Sequence, residues 1–193
     1  SEYVGRVVCP YNNGIAFLTE DNQTMKLWKA DDKAVLLAEI KSSSFFFDFY
    51  GLTQVKAGLA FGANSSFDDS FNGLYVYQAQ NDTLIKLPIN NKANANIGRT
   101  MVFNDTLLVG LERATGYFST DGTPEGTQIL SSSRPSFLVQ REPIPHIKSG
   151  KYLFFRESEG TFSQNFSVTD GTKAGTKPMV SPEEPFTSEM ISI

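Results

Sequence analysis

The sequence predicts an all-β fold assembled from repeated four-stranded antiparallel units, and two landmarks that recur in step predict it. The first is a phrase used twice, Thr120-Asp121-Gly122-Thr123-Pro124-Glu125-Gly126-Thr127 and Thr169-Asp170-Gly171-Thr172-Lys173-Ala174-Gly175-Thr176. Each copy follows an alternating, strand-like run and joins an Asp-Gly turn signal to a second Gly-Thr. Degraded copies stand upstream at Leu27-Trp28-Lys29-Ala30-Asp31-Asp32-Lys33 and at Leu74-Tyr75-Val76-Tyr77-Gln78-Ala79-Gln80-Asn81-Asp82. The second landmark is a short apolar strand, seen as Gly14-Ile15-Ala16-Phe17-Leu18, Gly58-Leu59-Ala60-Phe61-Gly62, Thr106-Leu107-Leu108-Val109-Gly110 and Lys151-Tyr152-Leu153-Phe154-Phe155. Both recur at about 45 residues, the length at which four-stranded propeller blades repeat. The expected architecture is therefore a β-propeller built of four-stranded antiparallel blades, in a single domain spanning 1–193.

Four blades are expected, with a trailing strand. The first, 3–41, takes strands at 4–9, 15–19, 25–28 and 35–40, and the run Val7-Val8-Cys9-Pro10 reads as a strand stopped by proline. The second, 45–89, takes strands at 50–55, 59–62, 73–78 and 84–87. The third, 97–130, takes strands at 99–103, 107–111, 117–120 and 128–130. The fourth, 137–180, takes strands at 144–147, 152–156, 165–169 and 177–180, and 186–193 reads as the first strand of another unit. Gly, Pro, Asn and Asp break every run within about ten residues, so almost no helix is expected. An unpaired edge strand invites aggregation and propellers close their rings to protect it, so the chain is expected to be a piece of a larger, six- to eight-bladed propeller. The Asp-Gly pairs, Asp121-Gly122 and Asp170-Gly171, are expected to be structural: a two-residue turn between the third and fourth strands needs positive φ, and the aspartate accepts from nearby amides. A calcium site would converge several oxygen ligands, and each copy offers one aspartate, with Glu125 in only one.

On these residues the chain resembles the bacterial ELWxTDGT-repeat β-propellers. Their repeat runs from Glu-Leu-Trp-x through Thr-Asp-Gly-Thr-x-x-Gly-Thr into a last aliphatic strand. Leu-Trp itself survives only at Leu27-Trp28 and becomes Tyr117-Phe118 and Phe166-Ser167 later, so the turns carry the resemblance. It implies a secreted or surface protein of a bacterium, extracellular, cell-surface or periplasmic, with no uniform activity.

Composition agrees. Of 193 residues, 40% are hydrophobic and 20% charged, which is ordinary for a globular chain, and the 16 phenylalanines suit short strands packed sheet on sheet. A net charge of −4 leaves no electrostatic footprint for nucleic acid. No apolar stretch reaches the roughly 18 residues of a membrane helix, so the chain is not expected to span a membrane. The start, Ser1-Glu2-Tyr3-Val4, lacks a signal-peptide pattern, and an exported protein would already have lost its signal. Cys9, the single cysteine, is expected to be buried and inert.

No catalytic constellation is legible. Nucleophile elbow, phosphate loop and paired-histidine motifs are missing from the sequence, so no catalytic residue, metal or cofactor is expected. Arg6, Gln54, Arg99 and His146, on the innermost strand of each unit, are a weak ligand-binding candidate: a polar channel lining for an anion or sugar, or side chains that bond one another and water. The acid pairs Asp31-Asp32, Asp68-Asp69 and Glu183-Glu184 are expected in solvated loops. The aromatic run from Ser42 to Tyr50 reads as an inter-blade crossover packed in a seam, with a docking surface as its alternative, and Trp28 as core. Asn22, Asn64, Asn81, Asn104 and Asn165 open Asn-x-Ser/Thr tripeptides, and Asp-Thr-Leu at Thr83 and Thr106 resembles a bacterial O-glycosylation signal. The function expected is a non-enzymatic interaction scaffold whose loops meet a protein partner, such as a subunit of an outer-membrane complex. The alternative is a carbohydrate-active propeller that binds or hydrolyses a glycan at the channel mouth.

Overall fold

Alternating apolar residues turn one face of each strand inward, and four such strands in sequence close a meander. The computed structural model describes residues 7–44, 47–89, 95–111, 116–132, 146–156 and 166–179, save the side chains of Phe47, Tyr50, Arg99 and Arg156. Among them all regular structure is β, in four four-stranded sheets whose strands pair antiparallel in chain order. Sheet 1 holds β1 (Val8–Tyr11), β2 (Gly14–Asp21), β3 (Thr24–Ala30) and β4 (Ala34–Lys41). Sheet 2 holds β5 (Phe47–Val55), β6 (Gly58–Ser65), β7 (Gly73–Gln78) and β8 (Thr83–Leu87). Sheet 3 holds β9 (Ile97–Phe103), β10 (Thr106–Leu111), β11 (Tyr117–Thr120) and β12 (Gln128–Ser131). Sheet 4 holds β13 (Ile147–Ser149), β14 (Tyr152–Arg156), β15 (Phe166–Thr169) and β16 (Lys177–Pro178).

The sheets stack face to face in chain order, and the alternation shows how. Leu59, Phe61, Tyr75 and Tyr77 of sheet 2 meet Cys9, Ala16, Leu18, Met25 and Leu27 of sheet 1. Their sequence neighbours Ala60, Leu74 and Val76 point the other way and meet Ile97, Leu107, Val109 and Phe118 of sheet 3. Leu108 and Tyr117 in turn meet Leu153 and Phe155 of sheet 4, with Tyr117 edge-on to Phe155 at 5.6 Å. Because sheets 2 and 3 are buried on both faces, β6 reads as a continuous buried run rather than an alternating one.

First strands lie side by side, β1 against β5 and β5 against β9. Gly51 makes the second approach close: it sits at a bulge in β5 with φ +58, and a Cβ there would collide with the Thr100 side chain of β9. Asn64 ties the same two sheets. Its amide donates to the Ile97 carbonyl at 2.6 Å and accepts from the Ile97 N–H at 2.8 Å, so a side chain stands in for a strand.

Three expectations change. Pro10 does not stop β1, which runs on to Tyr11 and turns at Asn12-Asn13. Val7 and Leu18 form a hydrogen-bonded pair, so Pro10, three residues along an edge strand, falls at a position whose missing N–H faces away from the ladder. Trp28 is not core. It lies on the face of sheet 1 turned away from sheet 2, stacked on Phe17 at 6.4 Å and donating to Thr19 Oγ1 at 2.8 Å, while Leu27 takes the buried place. Asp121-Gly122 and Asp170-Gly171 do not form two-residue hairpins, because each opens a longer loop before the next strand. The two-residue turns with two positive φ values are Asn22-Gln23 and Asn104-Asp105. Cys9 is buried as expected, and burial pushes its thiol up. The trailing strand at 186–193 lies outside the described residues, as do Phe45 and Phe46 of the aromatic run.

Candidate functional site

The twice-used phrase builds one hydrogen-bonded cage, and every defining residue has a place in it. Asp121 Oδ1 accepts from the Thr123 N–H at 3.0 Å and from the Thr123 hydroxyl at 2.7 Å. Thr123 Oγ1 in turn accepts from the Gly126 N–H, and the Thr127 hydroxyl donates to the Thr123 carbonyl. With that proton committed, Thr120 donates to Thr127 Oγ1 at 2.8 Å while accepting from the Gly122 N–H. The second copy repeats the set through Thr169, Asp170, Thr172, Gly175 and Thr176. Hydrogen bonds from Thr172 hold the Asp170 carboxyl below its usual range. Glycine is required at 126 and 175 because a Cβ would overlap the aspartate carboxylate.

Each cage also clamps the preceding sheet. Gly122, at φ +95, packs on Val55 and Ala57 at the first hairpin of sheet 2, and the Ala57 N–H donates to the Asp121 carbonyl at 3.1 Å. Gly171 rests likewise on Thr106 and Phe103 of sheet 3. Asn104 seals this second clamp by donating to the Lys151 carbonyl at 2.8 Å. One carboxylate oxygen of each motif aspartate, Oδ1, is thus bonded within its own loop.

The opposite end of sheet 2 carries the most exposed large hydrophobic side chain described, Phe67 at 74%. Its loop, between β6 and β7, is rigidly tied. Ser65 Oγ accepts from the N–H groups of Phe67 and Asp68, and the Ser65 N–H donates to Asn72 Oδ1. Asp68 departs from the solvated expectation: it is nearly buried, and its carboxylate accepts from Ser42 Oγ, the Ser43 N–H at 2.7 Å, and both the N–H and hydroxyl of Ser70. Those bonds, Ser70 first, hold its carboxyl well below the usual range. They also join the loop to the crossover that leads from sheet 1. Lys86 closes the lower side by donating to the Ser70 carbonyl at 2.7 Å, and Tyr75 donates to the Phe71 carbonyl. Burial, then the charge of Asp68, pushes the Tyr75 phenol up to about 12.

Asp68→Asn keeps one acceptor and faces Ser42 and Ser43 with donors, so it should cost about 1–3 kcal/mol at neutral pH. The native carboxyl titrates below 3.8, so its stabilisation is complete above that value and is lost as pH falls through the lower folded one. The melting-temperature gap between variant and wild type should thus be flat above 3.8 and narrow in acid. A gap constant across the whole range would contradict this role for the charge.

Of the channel candidates, Gln54 is exposed on β5 and His146 is exposed just before β13. Arg6 and the Arg99 side chain lie outside the described residues. Thr83 is exposed at the start of β8, whereas Thr106 is half-buried, donates to the Phe103 carbonyl and carries the Gly171 loop. Asn22, Asn81 and Asn104 are exposed, Asn64 is buried in its clamp, and Asn165 lies outside the described residues. Asp31-Asp32 is exposed at the β3–β4 turn, and Glu183-Glu184 lies outside the described residues. A cleft lined by Tyr11, Asn12, Lys29 and Asp31 lies beside the β1–β2 and β3–β4 turns. Sequence reasoning misread Asp68 as solvated and missed Phe67; Ser42 and Ser70, whose hydroxyls donate to the Asp68 carboxylate, were the available signal. Among the described residues no helix is long and apolar enough to cross a membrane. No protein-family model matches the chain, nor does any curated protein or solved structure.

Proposed function

We propose that the chain is a β-propeller segment of the ELWxTDGT-repeat type, serving as a non-enzymatic scaffold, secreted or attached to a bacterial surface. It presents blade loops to a protein partner, within an outer-membrane complex or a comparable assembly. The observation that carries this reading is Phe67, a large aromatic side chain 74% exposed on a loop whose backbone is held by Ser65, Asp68 and Asn72. Preorganised aromatic side chains are the anchors of protein interfaces, since burying them recovers apolar area with little ordering cost. The stack of four meanders, with first strands neighbouring in sheets 1 to 3, supports the propeller form. Internally bonded Thr-Asp-Gly-Thr loops support a framework role for the repeat.

Phe67→Ser should leave the melting temperature within about 2 °C, the effect of a surface change of roughly 0.5 kcal/mol or less. It should also abolish retention of a defined protein from extracts of the source cells, with a loss of affinity of about tenfold or more, as for an interface anchor. Equal retention by variant and wild type would reject Phe67 as the anchor. Retention of a glycan in place of a protein would reject the scaffold reading.

A further inference from the structure

Asn13-Gly14, Asn72-Gly73, Asp121-Gly122 and Asp170-Gly171 are the dipeptides of this chain best suited to cyclise on themselves. In each, the glycine amide nitrogen carries no neighbouring Cβ to hinder it and can attack the preceding side-chain carbonyl, closing a five-membered succinimide. The fold guards three of them. The Gly122 and Gly171 N–H groups donate to Thr120 Oγ1 and Thr169 Oγ1, both at 3.0 Å, so each attacking nitrogen is tied to a hydroxyl. The aspartates they would attack are held in turn by Thr123 and Thr172. Asn72 is only 3% exposed, and its amide is pinned at both ends: Oδ1 accepts from the Ser65 N–H and Nδ2 donates to Asp69 Oδ1 at 3.3 Å.

Asn13 has none of these restraints. It is exposed, and among the described residues no group bonds its side-chain amide. It lies in the turn between β1 and β2, so only the Tyr11–Gly14 pair at the hairpin tip must open to free the attacking nitrogen. The fold also forbids the simplest remedy. A bulkier residue after Asn13 would slow ring closure, but a Cβ at position 14 would overlap the Ala30 carbonyl oxygen of β3. Strand packing therefore fixes a glycine behind an unrestrained asparagine.

We infer that Asn13 is a site of spontaneous deamidation in the folded protein. The Gly14 nitrogen loses its proton and bonds to Asn13 Cγ, the Cγ–Nδ2 bond breaks, and ammonia leaves. Water then opens the succinimide at either carbonyl, giving aspartate or isoaspartate. Both products add one negative charge to a chain whose formal charge is −4, and isoaspartate also lengthens the main chain of the turn by a methylene. The new carboxylate stands in the cleft that Asn13 lines with Tyr11, Lys29 and Asp31. The inference rests on turn chemistry and is independent of Phe67.

Peptide mapping by mass spectrometry tests it, on the whole chain incubated at mildly alkaline pH either folded or unfolded in guanidinium chloride, with isoaspartate counted by enzymatic methylation. In the unfolded chain Asn13 and Asn72 should both convert. In the folded chain Asn13 should convert within about tenfold of its unfolded rate, because a hairpin tip opens at small cost, whereas Asn72 should be slowed about a hundredfold or more. Asp121 and Asp170 should yield no isoaspartate while folded. Asn13→Gln, which would need a slower six-membered closure, should keep the far-ultraviolet spectrum and remove the folded-state isoaspartate. Folding that protects Asn13 as strongly as Asn72 overturns the inference. So does equal conversion of Asn72 and Asn13 in the folded chain, or isoaspartate that persists in Asn13→Gln.

Discussion

Gly126→Ala is expected to destabilise the chain by about 2–4 kcal/mol, the combined scale of overpacking and of a displaced carboxylate hydrogen bond. The added methyl would overlap the Asp121 carboxylate, which is held in place by the Thr123 N–H and hydroxyl. Either the carboxylate leaves those donors or the loop backbone shifts, and a shift would lift Gly122 off Val55 and Ala57 of the preceding sheet. The effect therefore belongs to the seam as well as the loop. Asp121→Ala alone removes the cap and should cost about 1–2 kcal/mol, in the range of lost turn and helix caps. Combined, the two should cost clearly less than their sum, because the methyl then enters space the carboxylate has vacated. Urea unfolding of the four proteins measures this coupling, and strict additivity would refute the steric account. Gly175 and Asp170 should behave in the same way, since the second cage repeats the first atom for atom.

Asn64→Ala is expected to cost about 2–5 kcal/mol, because it strips partners from two buried backbone groups of Ile97 at once. Ile97 is fully buried in the seam between sheets 2 and 3, so water has no ready access to replace them. Asn64→Asp is the sharper variant. A carboxylate still accepts from the Ile97 N–H but sets a second negative oxygen against the Ile97 carbonyl, so Asp should be at least as damaging as Ala despite its near-identical shape. Thermal unfolding orders the variants, and hydrogen exchange at the Ile97 amide reports whether the clamp opens locally. Loss of less than about 1 kcal/mol in both would show that the side-chain bonds add little to the apolar seam.

The strands were legible because they rest on local patterning. Period-two alternation and turn residues named all four meanders, and the two repeated phrases fell at equivalent loops. The misreadings share a cause. Asp-Gly reads locally as a tight hairpin, yet the Thr120 and Thr127 hydroxyls hold a longer loop together, and that pairing spans residues whose spacing says nothing about their bonding. Pro10 reads as a stop, but an edge strand tolerates it where no ladder donor is needed. Trp28 and Leu27 are adjacent, and which of them faces the seam depends on which side sheet 2 packs. Asp68 lay hidden because its ligands come from Ser42 and Ser43 on one connection and Ser70 on another.

By itself, then, the sequence determined the class of fold, the order of its strands and the equivalence of its repeated loops, since each follows from interactions between residues close in the chain. Tertiary structure alone decided what those loops pack against, which acid is buried and where Phe67 stands. These depend on contacts across seams between residues far apart in the chain, set by how whole sheets stack, and no short-range pattern records them.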